Sequence, residues 1–465
     1  GKGRAMSGRL VCVSNRTGTT KSPSGGLAVA LSAALRQRGG IWFGWNGQIA
    51  EEGASAGEPD ITHEENVEIV AGALTRQEYE NYYLGFSNSV LWPVCHHRLD
   101  HVSFRRDYVD EYRRVNRRFA HQLGPRLKEG DLVWVHDYHL MPLGAELRAQ
   151  RLIGLRMGFF LHVPFPPPDT LMVVPDHEWL VRSLFSYDLL GFQTQGDCMN
   201  FLHYVLEQAG GEMVGDSRVK AFGRELEVRA FPIGIDVGAF REMTRTAEAR
   251  RTIRRMRQRN LGRAQIIGVD RLDYSKGLPE RYRAFQKLLE QYPETQGRVV
   301  LMQIAQPTRE AVEAYSDLRQ ELEWLSGAIN GAFGDFEWTP IRSIHRSVPR
   351  STLAALFAAS RIGLVTPLRD GMNLVAKEYV AAQDPEDPGV LILSRFAGAA
   401  EMMTSALLVN PYNEEEMANA LQTALQMSQD ERVERHRDLM RVNEETDVAK
   451  WRASFLAVLE VVSQS

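Results

Sequence analysis

The chain has 465 residues, 44% apolar and 25% charged, with a formal net charge of −4. This is the balance of an ordinary soluble globular protein of about two to four domains, and it gives no general affinity for nucleic acid or an anionic membrane. No uncharged apolar run approaches the roughly 20 residues of a membrane helix. Cys12, Cys95 and Cys198 are too widely spaced for a disulfide framework or a CxxC zinc pattern, which fits a reducing cytoplasm.

Residues 1–6 are basic and no apolar run follows them, so they read as no secretory signal; a native start is expected at Met6. Residues 10–14 read as a strand, 15–26 as a polar loop and 27–35 as a helix. The loop lacks the G-x-G-x-x-G dinucleotide fingerprint. It does carry Arg16 directly off the strand and a Gly25-Gly26 pair, which either admits a ligand close to the backbone or makes a plain turn. Residues 41–47 form an aromatic strand, 51–65 an acidic surface loop, and 82–93 an aromatic-dense stretch holding Tyr83 and Trp92. Cys95-His96-His97, read as extended chain, would point to alternate faces and clamp a metal poorly.

From Asp131 strands and helices alternate. Strands are expected at 132–135, 158–161, 189–193 and 228–231, with helices at 140–151 and 178–186. This is the pattern of βαβ units in a parallel sheet. His136-Asp137-Tyr138-His139 and His162-Val163-Pro164 fall at strand ends, where ligands bind in open α/β sheets. His136 and His139 have an HxxH spacing without an evident third ligand. Residues 231–236 read as a crossover into a helix at 240–263, whose many arginines suit a nucleic-acid arm or, better in an acidic chain with no interleaved aromatics, a solvated face.

A second series follows, with strands at 266–269, 299–304, 363–365, 390–393 and 407–409 and closing helices at 414–427 and 448–462. Two doubly wound α/β domains facing across a cleft are expected. Arg271 and Lys276 lie around a turn closed by Gly277, a fork and a point charge suited to a diphosphate, or an ordinary surface pair. The strand ending at Val365 feeds through Arg369-Asp370-Gly371-Met372-Asn373 into a helix at 374–382. A helix start aims free N–H groups and a positive dipole end at one point, a natural anion site. Asp370 and Glu378 stand on either side of it, Glu378 suited to ribose hydroxyls or to a surface salt bridge. Arg16 and Arg309 are candidates for a phosphate on an acceptor, with Tyr83 and Trp92 lining its sugar. No Ser-His-Asp triad, GKS/T loop, HExxH or paired glycosidase carboxylates stand out.

These words, with Ser24-Gly-Gly-Leu27, Phe86-Ser-Asn88, Leu91-Trp-Pro93, Trp134-Val-His-Asp-Tyr-His139, Phe160-Leu-His-Val-Pro-Phe-Pro166 and Asp188-Leu-Leu-Gly-Phe-Gln-Thr194, run in one order over nearly the whole chain. The chain resembles the trehalose-6-phosphate synthases, retaining glycosyltransferases of family 20 with the GT-B fold. The resemblance implies an acceptor domain over 1–235, a nucleotide-sugar donor domain over 236–447, and a C-terminal helix near 448–465 packing back onto the first. It implies transfer of glucose from UDP-glucose to glucose 6-phosphate with retention, without a protein nucleophile, in a metal-independent, cytoplasmic, homo-oligomeric enzyme.

Arg271 and Lys276 would hold the diphosphate, with backbone at Gly25, Gly26, Gly371, Met372, Asn373, Leu374, Val375, Ala376 and Lys377. Asp370 would hold the donor glucose, Glu378 the ribose, and His162 would touch the sugar near the anomeric centre. Arg16, Tyr83, Trp92, Asp137 and Arg309 would bind the acceptor. Val348 stands where a larger apolar neighbour of the base is expected, so UDP, GDP and ADP remain open as donors. A sister activity with another phosphorylated acceptor, such as glucosylglycerol-phosphate synthesis, is the alternative; a non-catalytic regulatory subunit would be expected to lose the basic pair or the Asp370 loop.

Overall fold

The computed structural model of the chain describes residues 8–18, 26–51, 53–152, 154–308 and 313–463. The expected start at Met6, most of the loop after Arg16 including Gly25, and Arg309 lie outside the described residues. By its internal contacts the chain divides into two units. One runs to Pro232 and takes in the segment from Ala449; the other is Ile233–Val448.

The first unit contains strands β1 (Leu10–Arg16), β2 (Gly40–Ile49), β3 (Asp60–Glu64), β4 (Val67–Leu74) and β5 (Leu132–His136). It continues with β6 (Arg156–Phe160), β7 (Leu189–Phe192), β8 (Glu212–Met213), β9 (Arg218–Ala221) and β10 (Arg224–Ala230). They form one sheet in the order β3-β4-β2-β1-β5-β6-β7-β10-β9-β8, parallel except for antiparallel pairing at its two edges. The central strands are buried along their length, so they read as unbroken apolar runs rather than alternating ones. β1 pairs with both β2 and β5. The strand order therefore reverses at β1, and a crevice at its carboxyl end is the expected ligand position.

The C-terminal helix Val448–Val461 enters this unit's core through Trp451 and Phe455. Their rings pack against Trp134 at 5.0 and 4.8 Å and against Phe160 at 5.2 and 6.1 Å. Gly158 and Gly191 make room for the Phe455 ring, since a Cβ on either would lie 2.8 Å from it.

The second unit holds β11 (Ala264–Arg271), β12 (Val299–Gln306), β13 (Ile341–Ile344), β14 (Ile362–Val365), β15 (Val390–Ser394) and β16 (Leu407–Val409). All are parallel, in the order β13-β12-β11-β14-β15-β16, and here the reversal falls at β11, between β12 and β14. Leu278, Phe285, Leu289, Leu325, Met417 and Leu421 from flanking helices close its core over Ile266, Leu301, Ile362 and Ile392.

Several expectations need correction. The helix expected at 240–263 is two, Val237–Met243 and Ala247–Asn260; Thr246 caps the second by accepting from Ala249 N, which breaks the register between them. Arg250, Arg251, Arg254, Arg255, Arg257 and Arg259 are all exposed. The supposed loop at 51–65 contains β3, which pairs antiparallel with β4. The helix expected at 140–151 is only Leu143–Arg148. Cys95-His96-His97 is not extended: Cys95 ends the short helix Trp92–Cys95. The aromatic stretch before it is a π-helix, Tyr79–Leu91, entered through a capping box in which Thr75 and Glu78 satisfy each other's backbone N–H. Asn88 and Ser89 bond back to the carbonyls of Tyr83 and Leu84 at 2.8 and 2.7 Å, a five-residue spacing that suits the wider turn.

Candidate active site

In the second unit the loops after β11 and β14 meet. Gly277, at φ +65°, turns the chain from Lys276 into the helix Leu278–Gln291; a Cβ there would lie 2.7 Å from the Thr366 carbonyl and would need a conformation that only glycine adopts freely. Lys276 Nζ donates to Asp370 Oδ2 at 2.7 Å, both side chains largely buried. Asn373 Nδ2 donates to the same oxygen at 3.2 Å. Asn373, at φ 82° and ψ 95°, also caps the helix Leu374–Ala382 by accepting from Ala376 N at 3.2 Å. The N–H groups of Leu374 and Val375 open that helix and have no partner within it. Asp370 is zipped onto the turn after β15, its N–H reaching Phe396 O at 3.1 Å and its carbonyl taking Gly398 N–H at 3.0 Å. Arg271 is exposed at the end of β11.

Beneath these loops lies a buried polar knot. Arg281, with no exposed surface, pairs with Asp270 through both terminal guanidinium nitrogens. It also donates to Gln303 Oε1 at 2.8 Å and Thr366 Oγ1 at 3.0 Å, while Gln303 Nε2 donates to Asp270 Oδ2 at 2.9 Å. Asp270, Gln303 and Thr366 sit at the ends of β11, in β12 and just beyond β14, so one arginine ties three strands together under the turn.

Glu378 lies one turn into the helix; burial raises its carboxyl above the usual range, opposed by Arg350, whose Nη2 is 3.4 Å away. Val348 is half-buried two residues before Arg350. Lys377 contributes backbone only to this end. Its side chain is buried and donates to Ile233 O at 2.7 Å and Thr446 Oγ1 at 3.0 Å, and burial lowers its pKa to about 7.

In the first unit the carboxyl ends of β1, β5 and β6 carry a second constellation. Asp137 follows β5 at φ 80° and ψ 171°, a region nearly reserved to glycine, and accepts from His162 N at 3.2 Å. Strain of about 1–3 kcal/mol at such a residue accompanies functional loops elsewhere. His136 Nδ1 and His162 Nε2 are 3.1 Å apart. Burial keeps both rings neutral, lowering His162 to about 3. His136 Nε2 is buried without a partner. An orphan acceptor costs less than an orphan N–H, so we assign the shared proton to His136 Nδ1 and the His162 proton to its own Nδ1.

Arg16 leaves β1 with its guanidinium over Trp45, 5.5 Å from the ring. Gly47, at φ +84°, provides the space: a Cβ there would be 2.4 Å from Arg16 Cζ. Tyr83 lies 5.3 Å from Trp45 and stacks at 6.1 Å on His139. Trp92 is buried, 4.1 Å from His96 and 5.8 Å from Tyr138, and Tyr138 donates to Asn88 Oδ1 at 2.8 Å. Gly26 opens the helix Gly26–Arg38.

Each unit thus gathers its own candidates: Arg16, Tyr83, Trp92, Asp137 and His162 in the first; Arg271, Lys276, Val348 and the span from Asp370 to Glu378 in the second. Sequence reasoning gave no site role to Trp45 or Asn88 and passed over Arg281. Arg281 left a signal, because it falls on the apolar face of its helix with Leu278, Tyr282 and Phe285. Among the described residues no three His, Cys, Asp or Glu side chains gather to hold a metal ion.

Two doubly wound sheets, each with basic and acidic side chains at its switch point, are the architecture of the GT-B fold. The model of glycosyltransferase family 20 matches residues 8–461, and the chain belongs to that family. A trehalose-6-phosphate synthase of Sinorhizobium fredii is 47% identical over 453 residues, covering 96% of this chain and 97% of its own. The structure of an α,α-trehalose-phosphate synthase (UDP-forming) from Burkholderia xenovorans in complex with glucose-6-phosphate is 48% identical, with a TM-score of 0.92 over 97% of this chain and 100% of that one. The E. coli structure bound with UDP-2-fluoro glucose is 43% identical, with a TM-score of 0.94 over 98% of this chain and 100% of its own.

Proposed function

We propose that the chain is a UDP-forming α,α-trehalose-6-phosphate synthase, transferring glucose from UDP-glucose to glucose 6-phosphate with retention at the anomeric carbon. The observation that carries this is the Lys276–Asp370–Asn373 cluster over the first turn of helix Leu374–Ala382. A lysine and a neighbouring arginine beside a helix N-terminus complement a diphosphate, and a carboxylate held by that lysine complements sugar hydroxyls. The relatives' complexes with glucose-6-phosphate and UDP-2-fluoro glucose support the choice of acceptor and donor.

In this reading Arg271, Lys276 and the backbone N–H groups from Gly371 to Val375 take up the charge that develops on the leaving diphosphate. Asp370 orients the glucose, Glu378 the ribose, and Val348 lies along the base. Neutral His162 donates from Nδ1 to the sugar. Arg16 holds the acceptor phosphate on its guanidinium fork, with Tyr83, Trp92 and Asp137 around the sugar. The acceptor hydroxyl attacks from the face the diphosphate leaves, and a phosphate oxygen of the leaving group takes its proton. No side chain acts as nucleophile, and catalysis rests on positioning and fixed charge.

The test is a panel of UDP-, GDP- and ADP-glucose against glucose 6-phosphate and glycerol 3-phosphate, with the product anomer read by NMR. The expected result is an α,α-linked product from UDP-glucose and glucose 6-phosphate, undiminished by EDTA. Turnover with glycerol 3-phosphate alone, or a β-linked product, would overturn it.

A further inference from the structure

An open depression of about 440 Å³ lies in the first unit between Arg148, Arg182, Phe185, Ser186, Phe222 and Arg224. Ser186 lies just before β7, and Arg224 begins β10, which runs parallel to β7. The depression therefore lies at the amino ends of these strands, at the opposite edge of the sheet from the loops of Arg16, Asp137 and His162.

Three guanidinium groups share its wall, and their counter-charges are few. Arg148 Nη2 meets the buried Asp188 at 3.0 Å, its Nε donating to Ser186 O at 3.0 Å. Arg182 meets the exposed Glu178 at 3.3 Å. Arg224 has no carboxylate within ion-pair distance among the described residues, and its Nε is buried without a hydrogen-bond partner. Burial and the neighbouring Arg148 both work against its charge, with only Asp188 favouring it. Arginine does not shed its proton in proteins, so Arg224 stays charged with an Nε–H that no protein acceptor takes up.

The wall carries a second oddity. Phe222 and Gly223 form the turn between β9 and β10, both at positive φ, 53° and 74°. Asn, Asp or Gly is the usual first residue of such a turn. A phenylalanine held there keeps its ring 5.3 Å from Phe185 and 5.3 Å beneath the Arg182 guanidinium.

We propose that this depression is a second ligand site, binding a small phosphorylated metabolite whose phosphate is held by the forks of Arg224 and Arg182 while the half-buried Phe222 packs on its carbon portion. The depression is open on one side and, at about 440 Å³, is wider than a bare phosphate needs. Guanidinium forks match phosphate oxygens in pairs.

Inorganic pyrophosphate is the probe, titrated calorimetrically into the full chain saturated with UDP. Two classes of site are expected in the wild type. One weakens at least about tenfold in Arg224→Gln and, separately, in Arg182→Gln, the loss of a charge-assisted hydrogen bond. The same class persists in Arg16→Ala, and both glutamine variants keep wild-type turnover without pyrophosphate. Arg182 is largely exposed, so its variant tests the site even if Arg224→Gln folds poorly. A single class of site that vanishes in Arg16→Ala, or binding that both glutamine variants leave unchanged, would refute the proposal.

Discussion

Replacing Arg281 by methionine removes the side chain that joins β11, β12 and the segment after β14 beneath the Lys276–Asp370 pair. Asp270 would be left buried with Gln303 Nε2 at 2.9 Å as its remaining polar contact within this knot, and Thr366 Oγ1 would lose its donor. Breaking a buried ion pair from one side costs about 3–5 kcal/mol, because the surviving charge stays desolvated. Against a total stability of about 5–15 kcal/mol, that shift is large. Urea denaturation should show it as a lower midpoint for the transition of the second unit, with the first unit's transition unmoved. The double variant Arg281→Met with Asp270→Leu removes both charges, and it should recover at least about 2 kcal/mol of the loss. The surviving enzyme should show a raised KM for the nucleotide sugar and an unchanged KM for the acceptor, since Thr366 and the Lys276 carbonyl, which Arg281 Nη2 reaches at 3.5 Å, belong to the donor loops. A single variant that loses less than about 1 kcal/mol, or a double variant no better than the single, would refute the reasoning.

Arg271→Ala should lower kcat/KM by about 2–4 kcal/mol of transition-state stabilisation, as loss of a charge-stabilising donor does elsewhere; near-wild-type kcat/KM would remove it from the diphosphate site. Gly47→Ala puts a Cβ 2.4 Å from Arg16 Cζ at a φ of +84°, so the acceptor KM should rise at unchanged donor KM, with about 1 kcal/mol or more of stability lost. An unaltered acceptor KM would detach Arg16 from that site. Lys377 carries a pH signature: folded, it releases its proton near pH 7, whereas unfolded it holds it to about 10.5. Between those values unfolding takes up a proton, so this group makes stability rise with pH. In Lys377→Met that contribution should disappear, seen as a flatter Tm against pH from 7 to 10; an unchanged slope would show that Lys377 stays charged when folded.

Much of the architecture was legible because parallel strands buried on both faces must be apolar throughout. The runs at β1, β5, β11, β12 and β14 could hardly form anything else between helical stretches. The helix Leu374–Ala382 was equally plain from its apolar spacing after a glycine turn. Edge elements were not legible: β3, with four of its five residues exposed, carries no apolar signal and exists because β4 offers it a ladder. Nor was the π-helix Tyr79–Leu91, since its extra residue per turn shows only in which carbonyls Asn88 and Ser89 reach.

The site divides in the same way. The sequence by itself determined which chemistries lie at strand ends, namely Arg16, Asp137, Arg271 with Lys276, and Asp370 with Glu378, because a loop's composition is local. Only the tertiary structure decided that Lys276 holds Asp370 at 2.7 Å across 94 residues of chain, that Lys377 turns away to Ile233 and Thr446, and that Arg281 is no surface arginine. The physical reason is common to all three. Where a charged side chain ends up depends on which buried partner can satisfy it, and that partner is chosen by packing between segments far apart in the chain.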